Sequence, residues 1–328
     1  MERGEVTVQP VFVFSVTRSG STLLQRILGS YQEIATATEP YLLLPFLYTM
    51  RSQGVVSEYT HHIAVEAIED FCEQLPDGVD DYRRELRAFI LRLYAKAAGN
   101  GARYFLDKTP AYFFVVDEIV RLFPEGRFIF LWRNPLSVVS SLIRFRDGLW
   151  DPASYPENLF KGLPSLVAAY RRHEDRVCSV RYEDLVAGDG RDWERLMSYL
   201  GMEFDPASLD RFSDVRLTGR GGDPYGVKLY SSLSTEPLRK WRDTINNPLR
   251  KAWCRRYLRW LGRERLAVMG YDLDELLSEL DAVPSSAANV ASDCARLTSA
   301  LVKEPLRARA RRSVGLARPS GLRFVIDA

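Results

Sequence analysis

The sequence predicts an α/β protein whose parallel sheet is flanked by helices on both faces, with a helical insertion after the first strand–helix unit. Three observations lead there. Short β-branched or aromatic runs alternate with segments of helical spacing, turn or capping residues sit at the junctions, and the runs are apolar throughout, as strands covered on both faces are. Val11–Val16 is the first run. It ends in Thr17-Arg-Ser-Gly-Ser-Thr22, after which Leu23, Leu24, Ile27, Leu28 and Tyr31 recur at helical spacing. Tyr104–Leu106 is the second, followed by Thr109 as a helix cap and Pro110 at the first helical position, where a missing N–H is harmless. Arg127–Trp132 is the third, with Asn134 as cap and Pro135 opening the next helix. Val177–Val180, leading into Tyr182-Glu-Asp-Leu185, is the fourth.

Between the first two runs, residues 42–100 read as helical and are expected to form an insertion over the site. Residues 146–161 carry Gly148, Pro152 and Pro156 with Trp150 and Tyr155, the chemistry of a lid-like loop with exposed aromatic side chains. Leu249–Leu261 predicts a helix closed by Gly262, with Trp253, Tyr257 and Trp260 on one face. After about residue 280 the composition turns to Ala, Ser and Val and then basic, with seven Lys/Arg against Glu304 between Lys303 and Arg323. The expected organisation is one domain over 1–280 and a basic C-terminal tail over 281–328.

The 328 residues are 46% hydrophobic and 27% charged, which indicates a globular chain, and a net charge of +2 does not make nucleic acid a default partner. No apolar run approaches the roughly 20 residues of a membrane span, and none precedes the first strand as a secretory leader would. No transmembrane segment is therefore expected, and a cytoplasmic location is. Cys72, Cys178, Cys254 and Cys294 lack metal-site spacing, and His61, His62 and His173 form no i, i+4 pair, so no metal is expected. Nothing in the sequence speaks to oligomeric state.

In Thr17–Thr22 a strand end, a tight turn and a helix start bring backbone N–H groups and the positive helix end to one point, where an anion belongs. Gly20 allows close approach, Ser19, Ser21 and Thr22 add hydroxyls, and Arg18 adds a fixed charge. The nucleotide triphosphatase pattern GxxxxGK[ST] is not met, because no Gly stands five residues before Gly20 and no Lys follows it. The loop thus suits a phosphate-like anion without the usual metal ligand. Arg133, at the end of the third run, and Ser141, eight residues on, form a second candidate anion site; Ser137, Ser141 and Arg144 share a helix face.

These features, in this order, resemble the sulfotransferases that use 3′-phosphoadenosine 5′-phosphosulfate (PAPS). The resemblance is carried by TRSGSTLL (17–24), LDKTP (106–110), FIFLWRNPLSVVSSL (128–142), RYEDL (181–185) and LRKW (238–241), and it covers roughly Val11 to Asp272. The pattern looks most like the tyrosylprotein sulfotransferases and their bacterial stand-alone relatives. It implies a P-loop-like fold, with 1–280 as the sulfotransferase domain. By the same resemblance, Arg18, Ser19, Gly20, Ser21, Thr22 and Leu23 hold the phosphosulfate end, Arg133 and Ser141 hold the 3′-phosphate, and Tyr182 and Lys240 touch the nucleotide. Lys228 is expected on a loop over the adenine and 3′-phosphate, in a stretch running from Gly219 to Ser232.

Arg18, Lys108 and the helix end are expected to meet the charge that builds on the departing bridging oxygen, a fixed electrostatic clamp that requires no metal. Family members with a His after Lys-Thr have a base there, but Pro110 follows Lys108-Thr109. The tyrosylprotein pattern instead places a Glu 21 residues after the loop Arg, which makes Glu39 the expected general base. The implied reaction is sulfation of a hydroxyl on a carbohydrate or a small natural-product or lipid acceptor, leaving 3′-phosphoadenosine 5′-phosphate (PAP). Tyr41, Phe46, Tyr48, Phe113, Phe114, Trp150 and Tyr155 are expected to line the acceptor cleft. Two alternatives stay open: an ATP-dependent P-loop phosphotransferase that needs magnesium, and a non-catalytic nucleotide-binding protein that tolerates Glu39→Gln.

Overall fold

A computed structural model describes residues 8–152, 155–217 and 232–298. The strands are β1 (Gln9–Phe14), β2 (Ile34–Thr36), β3 (Tyr104–Asp107), β4 (Arg127–Trp132) and β5 (Val177–Arg181). All but β2 were expected. They pair in parallel in the order β2-β3-β1-β4-β5.

Side chains alternate across this sheet, and its two faces differ in chemistry. Phe12, Phe14, Phe128, Phe130 and Trp132 form an aromatic face, whereas Val11, Val13, Leu106, Ile129, Leu131 and Val180 form an aliphatic one. Both are buried, which is why the runs read as continuously apolar. In chain order the helices are α1 (Ser21–Leu28), α2 (Leu43–Tyr48), α3 (His61–Cys72), α4 (Val79–Ala98), α5 (Val116–Leu122), α6 (Pro135–Phe145), α7 (Leu163–His173), α8 (Tyr182–Ala187) and α9 (Arg191–Tyr199). They continue with α10 (Ser208–Arg211), α11 (Glu236–Thr244), α12 (Pro248–Val268) and α13 (Leu273–Ala282). Helices α1, α8 and α9 cover the aliphatic face; α5, α6, α7 and α12 cover the aromatic one.

Several local expectations are met and several are corrected. Asn134 caps α6, its side chain accepting from the Leu136 N–H at 2.8 Å, and Pro135 opens the helix. Thr109 does not cap: its hydroxyl donates to Asp107 at 3.1 Å, and a short 3₁₀ turn, Pro110–Phe114, precedes α5. Gly262, at φ 76°, breaks α12 where the helix was expected to end. Residues 42–100 hold the three helices α2, α3 and α4, but α4 packs on β2 and β3, and none of these residues lines the main cleft. The segment therefore covers the sheet and not the cavity.

The stretch expected to expose its aromatics as a lid packs them inward. Trp150 and Tyr155 are both 1% exposed, with Trp150 edge-on against Trp253 of α12. Residues Pro156–Gly162 form a π-helical turn that runs straight into α7. The packed chain also continues past 280. Arg250 of α12 forms a buried ion pair with Asp293, Nε to Oδ2 at 2.7 Å, while its Nη2 donates to the Gly148 carbonyl at 3.1 Å. The basic stretch 303–323 lies outside the described residues. Among the described residues no helix is long and apolar enough to cross a membrane.

One topological feature locates the site. Strand β1 has β3 on one side and β4 on the other, so the chain crosses over β1 between them. A crossover of this kind opens a crevice at the carboxyl ends of the strands.

Candidate active site

Residues following four strands converge on that crevice: 17–22 after β1, Lys108 after β3, Arg133 after β4 and Tyr182 after β5. All of them but Ser19 and Lys108 line a cleft of about 300 Å³. Its floor is the turn into α1. Gly20 occupies the N-cap at φ 88°, and the Tyr182 ring lies so close over it that a Cβ at this position would overlap Tyr182 Cδ2 and Cε2. The Gly20 carbonyl takes the N–H groups of Leu23 and Leu24. The N–H groups of Ser21 and Thr22, first in the helix, have no intrahelical acceptor, and both residues line the cleft.

Two walls rise from this floor. On one, Arg133 Nη1 donates to the Arg18 carbonyl at 2.9 Å, Nη2 donates to the Pro237 carbonyl at 3.4 Å, and the guanidinium carbon lies 4.3 Å from the Tyr182 ring centroid. Arg18 adopts φ 71°, a left-handed conformation rare for a side chain of its size and of the kind that clusters at functional sites. Its Nε donates to Ser141 Oγ at 3.0 Å, and its guanidinium sits 5.1 Å from the Phe145 centroid. On the other wall, Lys108 Nζ and Glu39 Oε1 form an ion pair at 2.6 Å, and Nζ lies 3.4 Å from Thr22 Oγ1. Lys108 is 1% exposed and Glu39 13%, so Glu39 faces the cleft and Lys108 lies beneath it.

The cleft is lined by Arg18, Gly20, Ser21, Thr22, Leu23, Glu39, Arg133, Ser141 and Tyr182, all singled out from the sequence. Other expected residues sit elsewhere. Ser19 and Lys108 are both buried, and neither lines the cleft. Arg18, expected beside Lys108, turns its guanidinium to the Ser141 wall. Lys240 lies in α11, paired with Glu236 at 2.5 Å and outside the cleft lining. Lys228 is outside the described residues. Of the seven expected acceptor-side aromatics only Tyr41 and Tyr155 line the cleft; Phe113 and Trp150 are buried in the core, and Phe46, Tyr48 and Phe114 pack half-buried against it.

The sequence reading missed Arg26, Phe145, Arg146 and Asn158, which also line the cleft. Arg26 follows Thr22 by one turn of α1, a polar stripe beside Leu23, Leu24, Ile27 and Leu28 that was open to detection. It donates to the carbonyls of Ser213 and Val215, and burial lowers its pKa. Asn158 is positioned by accepting the Thr17 N–H at 3.2 Å.

The donor set suits an anionic nucleotide. Arg133 Nε is buried with no hydrogen-bond partner, an orphaned cationic donor on the wall that also carries Ser141, and the bare backbone at Gly20 leaves no room for a side chain. Fold and site together define an α/β protein with an anion-receptive loop at a topological switch point. A sequence profile of the sulfotransferase family matches residues 10–206, and the chain belongs to that family. It is 30% identical over 223 residues to nodulation protein NoeE of Sinorhizobium fredii, covering 60% of this chain and 51% of that protein. It is 26% identical over 247 residues to protein-tyrosine sulfotransferase 2 of Gallus gallus, covering 70% of this chain and 62% of the relative. The chain thus matches about half to two-thirds of these relatives' length. Among solved structures, the sulfotransferase domain from the curacin biosynthetic pathway superposes with a TM-score of 0.50 at 21% identity, over 74% of this chain and 92% of that one. That likeness concerns the fold.

Proposed function

We propose that the protein transfers a sulfuryl group from PAPS to a hydroxyl of a carbohydrate or a small natural-product or lipid acceptor, without a metal. The observation that carries this reading is the Glu39–Lys108 pair, whose carboxylate lines a cleft that Arg133 and Ser141 line as well. A carboxylate and an ammonium at hydrogen-bond distance supply a proton acceptor and a cation side by side.

The donor, when bound, supplies an activated sulfuryl group. Arg133 and Ser141 hold its 3′-phosphate, with Arg18 bracing Ser141, and the N–H groups of Ser21 and Thr22 receive its 5′ end. Tyr182, packed over Gly20 and itself lining the cleft, offers its ring to the nucleotide. Glu39 accepts the proton of the acceptor hydroxyl. While it is ionised, its partner Lys108 fixes its orientation. Once protonated it no longer holds the ammonium, and Lys108 turns through the Thr22 side toward the negative charge that develops on the leaving oxygen. Base and clamp thereby act in succession through one ion pair. Tyr41, 46% exposed next to Glu39, gives the acceptor an aromatic surface at the mouth.

Calorimetric titration with PAP, AMP and ATP–magnesium at one salt concentration tests the reading. Selective binding of PAP is expected. Equal affinity for AMP, or preference for ATP–magnesium, refutes it and puts the phosphotransferase alternative first. PAP binding combined with full tolerance of Glu39→Gln would favour a non-catalytic role.

A further inference from the structure

Beneath the Glu39–Lys108 pair lies a second polar cluster. Asp107, the last residue of β3, is fully buried. Its Oδ2 accepts from Tyr94 Oη of α4 at 2.6 Å and from Tyr112 Oη at 2.8 Å, and its Oδ1 accepts from Thr109 Oγ1 at 3.1 Å. Two of these hydroxyls do a second job. Thr109 Oγ1 accepts the Tyr41 N–H at 3.3 Å, and Tyr112 Oη accepts the Leu43 N–H at 3.3 Å. The carboxylate is thus joined by two relays to the backbone just after Glu39-Pro40.

The direction of the hydrogens makes this arrangement specific. An ionised carboxylate has no hydrogen, so each hydroxyl must donate to it and has only lone pairs left for the N–H groups of Tyr41 and Leu43. Burial raises the Asp107 carboxyl to about 6, while the hydroxyls of Tyr94, Tyr112 and Thr109 and the Lys108 ammonium favour its ionised form. Tyr41 moreover adopts φ 54°, a conformation a bulky residue holds only where its surroundings over-determine it. The N–H at that strained position is one of the two tied to Asp107.

We propose that Asp107 is a positioning residue for the reaction: through Thr109 and Tyr112 it holds the 39–43 arm, and so sets Glu39 opposite the Lys108 that follows Asp107 in the chain. The inference rests on the sulfotransferase reading for its catalytic meaning. One carboxylate thereby places both members of the pair, one through the backbone of β3 and the other through the relays.

The test uses Asp107→Asn, Thr109→Val, Thr109→Ser and Tyr112→Phe in the full chain. Amide hydrogen exchange at residues 41 and 43 reads the relays without any acceptor. Turnover of PAPS, followed as PAP release, reads the pair. Thr109→Val and Asp107→Asn should each speed exchange at Tyr41 by about tenfold or more, while PAP affinity stays within about twofold. They should lower kcat with the KM for PAPS unchanged, and Thr109→Ser, which restores the hydroxyl, should recover both readouts. A role in general stability alone would move exchange throughout the chain and would not be rescued by one hydroxyl. Unchanged exchange at Tyr41 in Thr109→Val, a variant of nearly the same shape, overturns the inference even if Asp107→Asn fails to fold. Wild-type kcat in a Thr109→Val chain with faster exchange overturns it too. Failure of the wild-type chain to bind PAP would instead sink the sulfotransferase reading and leave the exchange result to decide the relay.

Discussion

Removing the Glu39 carboxylate should have two consequences that come apart. The first is kinetic: loss of a general base lowers kcat by about 10²–10⁴-fold, whether the replacement is Ala or Gln. The second is structural. Lys108 is 1% exposed and, among the described residues, has Thr22 Oγ1 at 3.4 Å as its one polar partner besides Glu39. Breaking a buried pair by deleting one partner strands the other charge and costs about 3–5 kcal/mol. Because Glu39 is itself 13% exposed and meets water on one side, the lower end of about 3 kcal/mol is expected for Glu39→Ala. Gln retains a carbonyl oxygen for the ammonium, so Glu39→Gln should lose less than half of that stability while losing the same rate. Adding Lys108→Met to Glu39→Ala should restore stability and leave the chain inactive. Urea denaturation followed by tryptophan fluorescence gives the stabilities, and PAP release gives the rates. A Glu39→Ala chain as stable as wild type would refute the buried pair, and wild-type kcat in Glu39→Gln would remove Glu39 from the mechanism.

Three further outcomes are expected. Arg133→Ala should weaken PAP binding by roughly 2 kcal/mol, about 30-fold, with little change for AMP; an equal loss for both nucleotides would refute the 3′-phosphate assignment. Gly20→Ala should lose about 1–3 kcal/mol of stability to backbone strain and to the clash with Tyr182, and should weaken PAP binding; unchanged calorimetric affinity would remove the loop from the site. Asp107 contributes a pH dependence of definite sign. Its folded pKa, about 6, is raised above the ordinary carboxylate range, so its contribution to stability is fully present below about pH 4 and is lost as pH rises through 6. The stability of wild type relative to Asp107→Asn should therefore fall by roughly 3 kcal/mol between pH 4 and 7, and a flat difference in paired denaturation curves would contradict the burial argument.

What was legible in the sequence was what local chemistry decides. Four strands stood out because both faces of the sheet are buried, and the Asn134 cap because its partner is two residues away. Strand β2 is only three residues long and is anchored by neighbours far along the chain, the N–H groups of Arg103 and Tyr104 donating to the Glu33 carbonyl. Thr109 looked like a cap because Pro110 follows it, although the acceptor that takes its hydroxyl, Asp107, stands only two residues before it. Trp150 and Tyr155 were read as exposed because Gly and Pro report turn chemistry and not burial; the residue that covers Trp150 is Trp253, on a distant helix. The candidate site was legible as a residue set but not as a geometry. Spacing and resemblance singled out Glu39, Lys108, Arg18 and Ser141 without disclosing that the first two pair with each other and the last two with each other.

Arg133 carries a consequence for how the protein is made. One planar side chain reaches back to the Arg18 carbonyl, forward to the Pro237 carbonyl at the start of α11, and across to the Tyr182 ring. A ribosome delivers Arg18 and Arg133 long before residue 237. A nascent chain therefore holds most of the cleft-lining residues while still lacking the carbonyl that completes the Arg133 wall. The Arg133 wall is closed by a carbonyl that follows it by 104 positions, so the cleft is a product of the folded chain and not of the strand–turn–helix segment alone.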